Sequence, residues 1–294
     1  MPKTRSLRRA AAFLLFAIPA AAADKPGAQG GGTTLLPNGW RIAPAGRHIT
    51  VGDLPLAMVE SPDGRYLIVS NNGYSKPTLS VVDVGRMYVK SRLTLDNAWL
   101  GLAWHPDGKR LFASGAAESS VRELRWSPSG VLTAGPNIVL KRPSNESFVG
   151  GVAVSPDGSR VFAVHALGEL LSAITLGSED MAAAATSVDL PAEGYTALVS
   201  PDGATLYVSL WGGAKVLLFD PVTLAAKGEI AVGEHPNAMV LSKDGARLFV
   251  ACANTNAVWV VDLATRTARE QVSVALYPNA PAGSTPNALG LSPD

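Results

Sequence analysis

A four-residue phrase recurs along the chain at a nearly fixed step. Ser61-Pro62-Asp63-Gly64 returns as His105-Pro106-Asp107-Gly108, Ser155-Pro156-Asp157-Gly158, Ser200-Pro201-Asp202-Gly203 and Ser242-Lys243-Asp244-Gly245, and opens again at Ser292-Pro293-Asp294. The steps are 44, 50, 45, 42 and 50 residues. A repeat of this length is one supersecondary unit, and it buries its apolar face only by stacking on like neighbours. Proline at the second position presets φ near about −65°, and glycine at the fourth suits a type I turn. Each copy therefore predicts a tight turn between two strands. The recurring Asp also suggests a ring of metal-binding carboxylates. Turns in separate units lie too far apart to share an ion, so the Asp is read as a cap on its own turn.

The fifth unit shows the rest of the pattern. Residues 237–241 read as a first strand, 247–251 as a second, 257–262 as a third and 270–275 as a fourth, with Ser242 to Gly245 turning the chain between the first two. Four antiparallel strands in one such repeat make a blade of a β-propeller. The expected fold class is all-β, a β-propeller of four-stranded antiparallel blades over residues 40–294. Five blades and part of a sixth are expected here, and seven in the complete ring. Residues 47–51 are expected to be a fourth strand without its first three, and 287–291 the first strand of the sixth blade. At this spacing a seven-bladed ring needs roughly 60 to 80 further residues, so the chain is expected to be part of a longer protein. The helix-like run Asp180 to Ala185 is expected in a loop of the third blade.

The first 23 residues read as an address. Lys3, Arg5, Arg8 and Arg9 precede an apolar stretch, and Ala21-Ala22-Ala23 supplies small residues before a cleavage site at Asp24. The apolar stretch falls short of the roughly 20 residues that span a bilayer, so cleavage and export are expected, with no membrane insertion afterwards. The location is then periplasmic or secreted. Residues 24–39 read as a glycine-rich linker.

With 17% charged residues and a net charge of +1, the chain lacks the basic footprint of a nucleic-acid binder. Cys252 is its single cysteine, which excludes a disulfide framework and a cysteine-based zinc site. No His-x-His or His-Glu-x-x-His spacing occurs among the 4 histidines, and no Gly-x-Ser-x-Gly elbow is present. No catalytic residue, metal site or cofactor is expected. Asn145-Glu146-Ser147 matches a glycosylation acceptor, which has meaning only in a eukaryotic secretory pathway.

Taken together, the Pro-Asn-Ala-Met/Leu segments at 236–239 and 286–289, the Ser-Pro-Asp-Gly turns and the Val-x-Val-x-Asp third strands resemble the YVTN type of bacterial β-propeller. The missing Gly-His and Trp-Asp pairs set the chain apart from WD40 propellers. The runs 46–55 and 86–95 resemble exported bacterial proteins in which such a propeller precedes an alkaline-phosphatase-like phosphoesterase domain. The resemblance implies a hydrolase module beyond Asp294, with its metal and nucleophile residues there.

In antiparallel blades, the loop before strand one and the loop after strand two open on the same face, opposite the Ser-Pro-Asp-Gly turns. Asn71, Asn72, His165, Glu193, Trp211, His235 and Asn254 are therefore expected around one mouth of the central channel, with Tyr74 and Asn256 nearby. Polar groups converging beside an aromatic platform suit a small polar ligand, or else a protein partner. Two functions follow. The chain is expected to be a binding or scaffold module. The competing reading is an enzyme of lactonase type, with Glu193, His165 and His235 as its available groups.

Overall fold

The computed structural model describes residues 24–43, 45–140, 147–177 and 184–292. It divides into two compact units, one ending at His48 and the other beginning at Ile49. In the first, β1 (Gly27–Ala28), β2 (Thr34–Leu35) and β3 (Arg41–Ile42) form a small antiparallel sheet in that order, and Arg41 pairs with Asp24. This sheet lies partly in the stretch read as a linker.

Among the described residues the second unit holds five four-stranded antiparallel blades, each in simple sequential order. Blade 1 is β4 (Pro55–Glu60), β5 (Tyr66–Asn71), β6 (Thr78–Asp83) and β7 (Tyr88–Thr94). Blade 2 is β8 (Leu102–Trp104), β9 (Arg110–Ser114), β10 (Ser120–Ser127) and β11 (Val131–Val139). Blade 3 is β12 (Phe148–Val154), β13 (Arg160–Leu167), β14 (Leu170–Thr175) and β15 (Ala184–Asp189). Blade 4 is β16 (Gly194–Val199), β17 (Leu206–Leu210), β18 (Lys215–Phe219) and β19 (Ala226–Ala231). Blade 5 is β20 (Pro236–Leu241), β21 (Arg247–Cys252), β22 (Ala257–Asp262) and β23 (Thr267–Ser273). The all-β blade architecture expected from the repeat is present.

Two edge expectations differ. Residues 47–51 form no strand; the Val51 carbonyl is held by side chains, accepting from Ser80 Oγ at 3.0 Å and from the Arg92 guanidinium at 3.2 Å. Residues 287–291 also form no strand, because among the described residues no strand pairs with them. The segment is tied instead through Pro286, whose carbonyl accepts from Asn237 Nδ2 at 2.8 Å. Most of the helix-like run, residues 180–183, and most of the glycosylation acceptor, residues 145–146, lie outside the described residues.

The core is a stack of apolar layers between blades. Residues of β13 alternate sides: Val161 and Ala163 pack with Phe112 and Val121 of blade 2, while Phe162 and Val164 pack with Leu206, Val208 and Leu210 of blade 4. Because successive side chains of a strand point to opposite faces, a middle strand covered on both sides favours apolar residues on both. The second strands carry such apolar runs, and the buried polar residues Ser70, Ser114, His165 and Ser209 lie toward their C-terminal ends.

The repeated turns are closed as their composition requires. Each glycine N–H donates to the carbonyl of the first turn residue, as Gly158 does to Ser155 at 2.9 Å. In the four serine-bearing copies the Ser Oγ donates to the Asp carboxylate, at 2.6 Å from Ser155 to Asp157. That carboxylate also accepts the backbone N–H two residues on, at 3.0 Å for Ser159. These bonds hold Asp63 and Asp157 down to about 2. Burial works against Asp107, but hydrogen bonds from Lys109 and Arg110 and the nearby His105 outweigh it, and it too lies at about 2.

Neighbouring turns also touch. His105 sits where other copies have serine, and its Nε2 lies 2.9 Å from the Gly158 carbonyl of the next blade. Arginines add straps between blades, Arg65 to the Pro128 carbonyl at 2.5 Å and Arg160 to the Val222 carbonyl at 2.8 Å.

Candidate functional site

The mouth face is built by a recurring irregularity. In blades 1, 3, 4 and 5 the first strand shifts register near its start, between Pro55 and Ala57, Val149 and Gly151, Gly194 and Ala197, and Pro236 and Met239. A bulge of this kind bends the strand and re-aims a side chain. In β16 the re-aimed residue is Tyr195.

Tyr195 stacks on Trp211, with centroids 5.5 Å apart and planes 20° from parallel. Trp211 stacks in turn on His235, at 4.5 Å and 12°. Trp211 opens the short turn after β17, and His235 precedes β20, so three rings from two blades form one stack. Burial raises the Tyr195 phenol above its usual pKa, so the ring enters the stack neutral. His235 holds a left-handed backbone with φ of 52°, and its carbonyl receives the Ala253 N–H at 3.1 Å. That fixed backbone sets the imidazole against the indole.

Polar groups surround the stack. The Glu193 carbonyl accepts the Gly212 N–H at 3.3 Å, and the Glu234 carbonyl accepts the Asn254 N–H at 3.4 Å. The side chains of Glu193, Glu234 and Asn254 are exposed, and the three rings are half-buried. The structure thus brings Glu193, Trp211, His235 and Asn254 together at the junction of blades 4 and 5. Tyr195 completes them and has no signal in the sequence, because a strand residue is assigned to a sheet face unless a bulge is known.

The remaining sequence candidates lie apart from this cluster. Asn71 is 1% exposed, and its amide donates to Ser80 Oγ at 3.1 Å and to Thr78 Oγ1 at 3.3 Å, which makes it a strap inside blade 1. Asn72 donates its N–H to the Leu54 carbonyl at 3.1 Å. Tyr74 is fully exposed beside Asp53, whose carboxylate is held below its usual range chiefly by the Ser75 N–H. Asn256 is buried and fastens residues 281–284, accepting from Gly283 N at 2.9 Å and from Ser284 N at 2.8 Å. His165 is completely buried within blade 3. Burial pushes the Cys252 thiol up to about 12, which leaves it a small hydrophobe at neutral pH.

Two open hollows lie on the opposite, turn-bearing face. One of ≈ 440 Å³ is lined by residues that include Lys243, Asp244 and Arg247, and one of ≈ 370 Å³ by residues that include Pro62, Trp104 and His105. Asp244 and Asp107 are committed to their turns, and Trp104 donates to the Glu60 carbonyl at 2.6 Å. The mouth cluster, with exposed side chains beside a ring stack, is the better-equipped site. Among the described residues no three His, Cys, Asp or Glu side chains gather as a metal set, and no helix is long and apolar enough to cross a membrane.

No family model matches the chain, and no curated protein matches it in sequence. Solved structures do resemble it. A putative 6-phosphogluconolactonase from Bacteroides uniformis is 16% identical with a TM-score of 0.64, over 82% of this chain and 76% of that one. The periplasmic gluconolactonase of Pseudomonas aeruginosa is 21% identical with a TM-score of 0.61, over 77% and 74%. Hydrazine synthase from Kuenenia stuttgartiensis is 20% identical with a TM-score of 0.63, over 79% and 77%. Identities this low carry the fold and nothing finer, and the chain has a β-propeller fold.

Proposed function

We propose that this propeller is an exported binding module that takes a small, neutral, sugar-derived ring at the junction of blades 4 and 5. The Tyr195–Trp211–His235 stack carries the reading. Aromatic faces pack against the apolar C–H faces of a sugar ring, and a few convergent polar groups then fix its orientation. The exposed carboxylates of Glu193 and Glu234 favour a neutral ring over an anionic one. Tryptophan fluorescence tests this. Freshly dissolved glucono-1,5-lactone should quench the signal in a saturable way, and gluconate should not. Equal responses to both, or to neither, count against the site.

The second reading, a lactonase, draws support from the two structures named as lactonases among those that share the fold. Release of acid from the same lactone above the spontaneous rate would favour it. The export reading rests on the sequence of residues 1–23, and the similarity in fold to a periplasmic gluconolactonase supports it. A mature N-terminus at Asp24 in the exported protein tests it. The resemblance of the runs 46–55 and 86–95 to exported propeller–phosphoesterase proteins favours a propeller that serves a phosphoesterase domain, and the downstream reading frame tests that reading.

A further inference from the structure

A second cluster of chemistry-bearing groups lies in blade 3, apart from the ring stack. Ser147 immediately precedes β12, and its Oγ lies 2.5 Å from His165 Nδ1. Ser119 Oγ lies 2.7 Å from Ser147 Oγ and 3.3 Å from the Leu140 carbonyl. On the other side of the imidazole, His165 Nε2 lies 2.9 Å from Ser172 Oγ, which lies 2.9 Å from Ser187 Oγ. Five side chains thus form one hydrogen-bonded chain from the mouth loops, through a fully buried imidazole, to an exposed residue of the outer strand β15.

The loops are locked in this arrangement. The Val149 N–H donates to the Ala116 carbonyl at 3.0 Å, which ties the loop bearing Ser119 to the start of β12. His165 sits opposite Leu170 in the β13–β14 ladder, so its ring position follows from strand register.

The chain is satisfied in either direction. With Nε2 protonated, Ser119 donates to Ser147, Ser147 to Nδ1, Nε2–H to Ser172, and Ser172 to Ser187. With Nδ1 protonated every donor reverses, and Ser119 ends the run on the Leu140 carbonyl. In the first direction the Ser147 hydroxyl points its proton at an unprotonated ring nitrogen, which is the arrangement of an activated nucleophile.

We propose that Ser147 and His165 are a nucleophile and general base for acyl transfer from small esters and lactones. Ser147 Oγ attacks the carbonyl carbon and its proton passes to Nδ1. The ring C–O bond breaks, and the leaving alkoxide takes that proton back, leaving an acyl-Ser147 with a free hydroxyl at its far end. Water then attacks the acyl carbon, gives a proton to Nδ1, and Ser147 leaves with that proton. The net change is one lactone and one water to one hydroxy acid. Ser172 is a positioning residue. Its oxygen holds the Nε2–H tautomer, and with Ser187 it offers the Nε2 proton a path to solvent, which spares the buried ring a full charge. The pair is invisible in sequence because residues 18 apart meet only through the β12–β13 pairing, with no elbow motif.

The test uses a fluorophosphonate, whose P–F bond breaks as Ser147 Oγ bonds to phosphorus and fluoride departs. Peptide mapping of the full chain should place one adduct on Ser147, and prior lactone should slow its formation. The absence of a Ser147 adduct in the wild-type chain overturns the proposal without any variant. H165N should slow labelling at least about 100-fold, as loss of a general base does. An unchanged rate in a folded H165N chain also overturns it. For Ser172, the imidazole ¹⁵N shifts report the tautomer. S172A should move them toward a mixed state and slow labelling, and unchanged shifts and rate would remove Ser172 from the mechanism. Lactone quenching of tryptophan fluorescence, read separately on the same wild-type chain, reports the ring stack alone, so failure of the ring-stack site and failure of this pair are told apart.

Discussion

Turn glycines make two demands that separate substitutions can tell apart. Gly158 and Gly245 both hold a left-handed backbone, with φ of 73° and 70°. A Cβ on Gly245 would meet nothing within 4 Å, whereas one on Gly158 would lie 2.4 Å from His105 Nε2. Gly245→Ala should cost about 1–2 kcal/mol for the backbone alone. Gly158→Ala should cost about 1–3 kcal/mol more, because the clash loosens a contact between blades. Paired thermal melts check the difference, and equal losses would mean the turns of blades 2 and 3 do not bear on each other.

The turn carboxylates predict an acid limb. Asp63, Asp107 and Asp157 sit at about 2 when folded, below the ordinary aspartate value of 3.8. A carboxylate lowered by folding stabilises the folded state above its unfolded pKa, and the stabilisation fades as pH falls through the folded value. Melting temperature should therefore hold steady down to about pH 5 and fall between about pH 4 and 2. Asp157→Asn should be less stable near neutrality and lose less over that acid range; an identical acid slope would show that Asp157 has no part in it. These turns were readable in the sequence because Pro, Asp and Gly act on their own backbone within four residues. Tyr195 was not readable, since a bulge decides where it points. Loop order places His165 and Asn71 at the mouth, but strand register and cross-strand partners draw both inside their blades.

At the level of the element, the second strand of each blade is the unit of stability. Phe162 is fully buried in the layer between blades 3 and 4. Phe162→Ala should cost about 3–5 kcal/mol, and chemical denaturation with an unchanged slope would show the loss to be local packing. The strand runs were legible because burial on both faces favours apolar residues on both sides of the strand. The expected strands at 47–51 and 287–291 were not realised, because an apolar run becomes a strand only where a ladder partner lies beside it. The small sheet at residues 27–42 has no counterpart in the sequence pattern, because two-residue strands leave no periodic signal.

Across the whole molecule, the repeat positions the chemistry without containing it. Turns, straps and apolar layers recur from blade to blade, whereas the ring stack occurs at the junction of blades 4 and 5 and the serine–histidine chain in blade 3. Fold likeness to proteins as different as a gluconolactonase and a hydrazine synthase fits that division, since function sits in loops grafted on a shared frame. The measurement that bears most directly on the proposed site is calorimetric titration of the neutral lactone into the wild-type chain and Trp211→Ala. The wild type should bind, and the variant, melting within a few degrees of it, should bind at least about tenfold more weakly, a loss of about 1.4 kcal/mol. Equal affinities in two folded proteins would contradict the assignment of the ring stack as the binding site.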